Sequence, residues 1–244
     1  MKIWLLNPPF KEKVFREGRC EQKLGLFQTT YPPLTLAILA SILREKYEVR
    51  IIDCIAYDLN ISELRELYIK EKPNKIFMSV STPTIEEDLR TINILNSIEK
   101  SQFLIFGIHA SYFSKQLSKH SGIIAIQGEP EKYAMKLMRK KYDFRNLPFP
   151  AWDLVDLTKY KLPLKNKPFV LVKPLKGCPY SCSFCVTSYY YGKKVIMKPI
   201  DKVIDELKYI KGLAISNVLF YADTFTINRD WCIELCNRMI DYAI

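Results

Sequence analysis

From residue 2 to residue 141 the chain alternates short apolar runs with longer amphipathic stretches, and no other feature restricts its fold so severely. The apolar runs are Lys2–Leu6, Val49–Asp53, Lys75–Val80, Phe103–Gly107 and Ile123–Gln127. Each is too short for a helix, rich in large aliphatic or aromatic residues, and followed by turn-forming residues, so each reads as a strand. Between and after them lie helical patterns at Leu34–Glu45, Ser62–Lys70, Ile85–Glu99, Tyr112–Ser118 and Glu131–Lys141. Strands separated by helices run parallel, and a parallel sheet needs cover on both faces. The expectation over residues 1–141 is a flavodoxin-like, doubly wound α/β domain. Such a domain binds ligands beyond the carboxyl ends of its strands.

Those ends are small or polar. They read Asn7-Pro8-Pro9-Phe10, Asp53, Ser79-Val80-Ser81-Thr82-Pro83, Gly107-Ile108-His109-Ala110-Ser111 and Gly128-Glu129-Pro130. Turn chemistry alone accounts for Gly, Ser and Pro at such junctions, so by themselves these residues do not separate a binding edge from ordinary turns. A proline-rich, irregular stretch follows, Leu147-Pro148-Phe149-Pro150-Ala151-Trp152-Asp153, and residues 142–168 read as a linker.

The second half opens on an apolar segment, Phe169–Leu175, followed at once by Lys176-Gly177-Cys178-Pro179-Tyr180-Ser181-Cys182-Ser183-Phe184-Cys185. Three thiols within one short loop have the spacing of iron–sulfur ligation, with the fourth metal position left to a non-protein ligand. Gly177 and Pro179 favour a tight turn, and Ser181 and Ser183 leave room for inward-facing sulfurs. Structural zinc wants a fourth ligand. The only histidines, His109 and His120, lie far upstream. Cys232 and Cys236 sit one helical turn apart in an amphipathic segment and read as core residues. Zinc and incidental cysteines remain the competing readings. Further on, Ile200–Lys211 reads as a helix, Val218–Tyr221 as a strand leading into Ala222-Asp223-Thr224-Phe225-Thr226, and Arg229–Ile244 as a last helix. In a βα barrel the working residues lie at the carboxyl ends of strands. Both the cysteine loop and Asp223 fall there, although Asp223 also suits an N-cap.

The cysteine loop resembles the signature of the radical S-adenosylmethionine superfamily, whose usual form is Cys-x3-Cys-aromatic-x-Cys. Here the loop reads Cys-x3-Cys-x-Phe-Cys, a form many members share. The pieces upstream resemble the cobalamin-binding domain that precedes many such barrels: Asn-Pro-Pro after the first strand, Tyr31-Pro32-Pro33-Leu34 opening a helix, Gly-x-His-Ala after the fourth strand, Gly-Glu-Pro-Glu after the fifth, and the proline-rich linker. The resemblance implies a [4Fe-4S] cluster held by Cys178, Cys182 and Cys185, with S-adenosylmethionine on the fourth iron and a 5′-deoxyadenosyl radical released on reduction. It further implies Phe184, Asp223 and Thr224 beside S-adenosylmethionine; Ala222 replaces the first acid of the usual Asp-Asp-x-Phe-Thr motif. Cobalamin would lie against Ser79, Ser81, Thr82, Gly107, His109, Gly128 and Glu129. No His lies between Pro8 and Tyr31, so the lower axial ligand of other cobalamin domains is absent, and His109 would touch the corrin or its nucleotide tail. An ordinary hydrogen-bonded loop His is the alternative.

Residues 169–244 would then form the first two or so units of a TIM-type βα barrel. The expected function is radical modification such as C-methylation, or cyclisation, of an unidentified small molecule or biosynthetic intermediate, with a protein reductant for the cluster. A non-catalytic cobalamin- or cluster-binding module is the alternative, and a second chain completing the barrel is a candidate partner. The net charge of +11 comes from scattered lysines and arginines without a nucleic-acid motif, which reads as a solvated surface. No apolar run approaches the roughly 18–20 residues of a membrane span, and the N-terminus is broken by Pro8 and Pro9 too early for a secretory signal. The cytoplasm is the expected compartment.

Overall fold

The computed structural model describes residues 1–12, 14, 16–17, 30–162 and 164–243. Its first half is a five-stranded parallel sheet of β1 (Lys2–Asn7), β2 (Glu48–Asp53), β3 (Lys75–Ser79), β4 (Gln102–Phe106) and β5 (Ile123–Ala125). The strands lie in the order β2-β1-β3-β4-β5. This is the doubly wound order expected of a flavodoxin-like sheet, with its switch point between β1 and β3.

Side-chain alternation along β1 explains how both faces are used. Ile3 and Leu5 enter one core, together with Phe77 and Leu104 of β3 and β4. Trp4 and Leu6 enter the other, with Ile76, Met78, Phe103 and Ile105. The second core is closed by α2 (Ile61–Glu71) and α3 (Ile85–Ile98). Asn60 starts α2 with a full capping box, accepting from the Ser62 and Glu63 amides while Glu63 reaches back to the Asn60 amide. The first core has an unusual cover. In α1 (Leu34–Leu43) every residue but Thr35 is buried. A helix apolar all round belongs inside a protein, and α1 lies between the sheet and the second half. The same core accordingly contains Val170, Leu171 and Val172 as well as Val203, Leu207 and Ile210.

Residues 142–168 are packed along this seam. Trp152 and Tyr160 are fully buried, and the Ala151 amide donates to Ala37 O of α1 at 2.9 Å.

Several elements differ from the sequence reading. The segment expected as one helix at Tyr112–Ser118 is two short helices, α4 (Ile108–Tyr112) and α5 (Ser114–Leu117), interrupted at Phe113. The helix expected to reach Lys141 stops early as α6 (Pro130–Leu137), and Arg139 turns to a positive φ of 57°. The strand expected over Phe169–Leu175 breaks in two. Its first part, β6 (Val170–Val172), joins the barrel-type pair, and its second, β7 (Leu175–Lys176), leaves it. Pro174 lies at the break and has no amide hydrogen to continue a ladder.

The second half then continues through α7 (Thr187–Tyr190), β8 (Ile196–Met197), α8 (Ile200–Gly212), β9 (Val218–Phe220) and α9 (Arg229–Asp241). Strand β9 pairs in parallel with β6 across the α8 crossover. Such a parallel strand–helix–strand unit is the kind that a βα barrel repeats. Ile244, the end expected for the last helix, lies outside the described residues.

Candidate cofactor site

The cysteine loop hangs from a hairpin, which the sequence pattern did not reveal. Strands β7 and β8 pair antiparallel, with Leu175 opposite Met197 and Lys176 opposite Ile196, so residues 177–195 form the tip. Gly177 is the hinge. Its φ is +88°, and a Cβ there would come within 2.3 Å of Lys194 O, so only glycine fits. Its amide donates to Asp223 Oδ2 at 2.8 Å. Within the tip the Cys178 amide donates to Gly192 O at 3.3 Å and the Cys185 amide to Cys182 O at 3.1 Å.

Cys178 and Cys185 are half-buried and Cys182 is exposed. Phe184 is 89% exposed, so its apolar ring is bare beside the thiols. Among the described residues no three His, Cys, Asp or Glu side chains are gathered as a metal centre. The chemistry of the loop still fits one class of group. Its donors are three soft thiols on one hairpin tip, a set suited to an iron–sulfur cluster and ill suited to hard cations. Thr224 Oγ1, next to Asp223, is buried without a hydrogen-bond partner among the described residues, a polar atom left for an incoming ligand.

Asp223 caps no helix. The cap of α9 is Asn228, which accepts from the Trp231 amide at 2.9 Å. Cys232 is half-buried and Cys236 exposed, so this pair is not the core feature the sequence suggested.

At the sheet, the loops after β3, β4 and β5 converge. Thr82 Oγ1 lies 3.1 Å from His109 Nδ1. Burial lowers the pKa of His109 against a weaker opposing pull from Asp88, which favours the neutral ring. Ser111, part of the run after the fourth strand but not among the expected cobalamin contacts, joins the loops after β4 and β5. Its hydroxyl donates to Gly107 O at 2.8 Å and accepts from the Gly128 amide at 3.0 Å. Gly107 and Gly128 both have positive φ, 122° and 79°. Ser79 and Ser81 turn inward instead, Ser79 toward Arg16 O at 3.3 Å and Ser81 toward Thr84 at 2.8 Å. Cavities of about 550 and 320 Å³ open at this edge, sharing Phe10, Lys11 and Glu87 in their walls, and Thr82 lines the smaller.

The loops that carry the two predicted sites touch. Tyr189, four residues past Cys185, packs its ring 5.6 Å from that of Tyr112 and donates to Ser111 O at 3.5 Å. The seam beneath is rich in buried charge. Lys176 Nζ contacts both oxygens of Glu129, at 2.6 and 2.5 Å, so that carboxylate is committed to the second half. Asp53 accepts from Asn7 Nδ2 at 3.1 Å and from Tyr160 OH at 2.9 Å, tying the strand ends to the 142–168 segment.

Glu17 caps α1 from a distance, accepting from the Thr35 amide at 3.0 Å. Burial raises its pKa to about 7, against hydrogen bonds from Thr35 and the charge of Lys173. Burial likewise raises that of Glu131, whose Oε2 has no partner among the described residues. Charge pairing between distant residues has no short-range sequence signal. The one clue was Pro32-Pro33 opening α1, which leaves that helix without a local side-chain cap.

Comparison with known proteins shows what this arrangement is similar to. No family model matches the chain. It is 27% identical to an uncharacterized methyltransferase of Pyrococcus horikoshii over 98% of its own length and 57% of that protein. It is 23% identical to the anaerobic magnesium-protoporphyrin IX monomethyl ester cyclase of Rubrivivax gelatinosus over 86% of its length and 44% of the cyclase. The chain thus spans about half the length of these curated relatives.

Among solved structures it superposes on the radical S-adenosylmethionine methyltransferase TsrM of Kitasatospora setae, bound to cobalamin and a [4Fe-4S] cluster. The TM-score is 0.68 at 17% identity, over 99% of this chain and 52% of TsrM. The cobalamin-dependent S-adenosylmethionine radical enzyme OxsB gives a TM-score of 0.67 at 15% identity, over 92% of this chain and 34% of OxsB. The chain therefore shares its fold with solved cobalamin-dependent radical S-adenosylmethionine enzymes, the fold that the stated resemblance implied.

Proposed function

We propose that the chain is the cobalamin- and cluster-binding portion of a radical S-adenosylmethionine enzyme that modifies a carbon centre, with methyl transfer as the favoured reaction. The observation that carries this reading is the placement of the three-thiol hairpin tip against the loops at the carboxyl edge of the sheet, through Tyr189, Tyr112 and Ser111. Residues 1–141 serve as the cobalamin domain, 142–168 as the linker and 169–244 as barrel units.

Cys178, Cys182 and Cys185 hold the [4Fe-4S] cluster, while Phe184, Asp223 and Thr224 face S-adenosylmethionine. Thr82, Gly107, His109 and Gly128 form the cobalamin edge, with Glu129 at its root, while the inward-turned Ser79 and Ser81 brace the loop behind it instead of touching the cofactor as expected. When bound, these cofactors supply a carbon-centred radical and a transferable methyl group. The protein's share is placement. Ser111 fixes the two glycine loops, Thr82 orients the neutral His109 ring, and Gly177 aims the thiols. The half-exposed edge of β9 is where further barrel units, from this or a second chain, would pair. A small-molecule substrate, a protein reductant and a cytoplasmic setting complete the reading; no described helix is long and apolar enough to cross a membrane.

The test is anaerobic reconstitution with iron and sulfide, followed by electron paramagnetic resonance. A reduced cluster signal that shifts on adding S-adenosylmethionine is expected, together with its loss in Cys182→Ala. An unchanged signal in that variant, or no iron uptake, overturns the proposal. Formation of 5′-deoxyadenosine by the chain separates an enzyme from a non-catalytic binding module.

A further inference from the structure

Lys176 stands two residues before the first cysteine and is 2% exposed at its side chain. Besides both oxygens of Glu129, its ammonium donates to Tyr142 OH at 2.7 Å, so three oxygens from outside its own half surround it. Tyr142 OH donates in turn to Glu129 Oε2 at 3.0 Å. The rings of Tyr142 and Phe144 each lie 4.9 Å from the ammonium. Glu129 is itself 2% exposed, and Lys132 approaches it at 3.0 Å from the solvent side.

Burying two opposite charges returns little net stability, because each loses its water shell. What such a pair fixes is geometry: Lys176 has one place to go, and that place belongs to the loop after β5. The next residue, Gly177, is held separately by Asp223. The root of the cysteine loop is therefore gripped by one acid from the sheet half and one from the barrel half.

We propose that Glu129 is a positioning residue for the cluster, holding the root of the cysteine loop through Lys176 so that the three thiols can reach a common centre. This rests on the cluster-binding reading above. It gives the Gly-Glu-Pro-Glu stretch a task directed at the cluster, beyond its expected place beside cobalamin. Partners behind a ligand shell commonly change metal affinity by about tenfold or more.

Glu129→Gln keeps the shape and removes the charge. In the full chain this variant is expected to retain its circular dichroism spectrum, bind the reconstituted cluster about tenfold more weakly and shift its paramagnetic g-values. In the metal-free chain N-ethylmaleimide should label Cys178 about tenfold faster relative to Cys182, because the root is released. The swap Glu129→Lys with Lys176→Glu should restore part of both effects. Should Glu129→Gln fail to fold, Tyr142→Phe removes one hydroxyl, an acceptor for Lys176 and a donor to Glu129, while keeping the ion pair, and a change of about twofold in the same two measurements is expected.

Variants that load iron with the parent's affinity and g-values, and label at the parent's rate, overturn the inference while leaving the proposed function intact. A parent chain that takes up no iron overturns the proposed function, and the labelling ratio in the metal-free chain still decides whether Glu129 holds the root.

Discussion

The central strands of the sheet and the β6–β9 pair obey the same rule of parallel pairing but differ in how much protein surrounds them. Ile3, Trp4, Leu5 and Leu6 of β1 have no exposed surface, and β1 is paired on both sides. All three residues of β9 are half-exposed, and among the described residues β9 pairs only with β6. The difference shows that stability and function are unevenly distributed. The sheet is a finished scaffold, whereas the cysteine loop belongs to the less covered half and takes fixed points from the scaffold through Lys176 and Tyr189.

Truncating one aromatic side chain in each region puts that contrast to the largest test. Phe77 is fully buried in β3, and Phe77→Ala should cost about 3–5 kcal/mol in urea unfolding. Phe220 of β9 is half-exposed and stacks on Phe225, so Phe220→Ala should cost only about 1–2 kcal/mol. Equal losses would erase the distinction.

Glu17 probes the helix shared by both regions. Its carboxyl binds a proton more tightly in the folded protein, with a pKa of about 7 against an ordinary 4.5. The unfolded chain therefore releases that proton first, and stability falls as pH rises from 4.5 to about 7. The full difference is on the order of 3 kcal/mol. Glu17→Gln should flatten the stability profile across that window, read by denaturant titration at each pH. A slope left unchanged would show that the cap on α1 is ionised in both states.

The smallest effect sharpens the comparison from the far side of the sheet. Asn60→Ala removes the capping box of α2 and should cost about 1 kcal/mol. Because α2 lies on the face away from the cysteine loop, hydrogen exchange should quicken in α2 and leave β6 and α8 unchanged.

Much of this was legible beforehand, for local reasons. Strand positions followed from short apolar runs closed by turn residues, and β3 and β4 appeared within one residue of their expected starts. The thiol spacing was visible in ten consecutive residues. What stayed hidden was non-local. Pro174 lies inside the apolar segment Phe169–Leu175, yet only the fold showed that Leu175 and Lys176 would turn away to pair with Met197 and Ile196. Similarly, α1 read as a helix, but its burial on almost every side depended on what packed against it.

By itself the sequence determined the five strands of the first half, the parallel sheet they form and the three thiols on one loop. Each depends on periodicity, turn chemistry or spacing within a few residues. Tertiary structure alone decided that Glu129 meets Lys176 across 47 positions and that Asp53 meets Tyr160 across 107. It also decided that Asp223 holds Gly177 and that Ser111 joins two glycine loops. Such pairs form where the strand order and the shared core bring chain segments together, and a buried polar group brought there must find its partner.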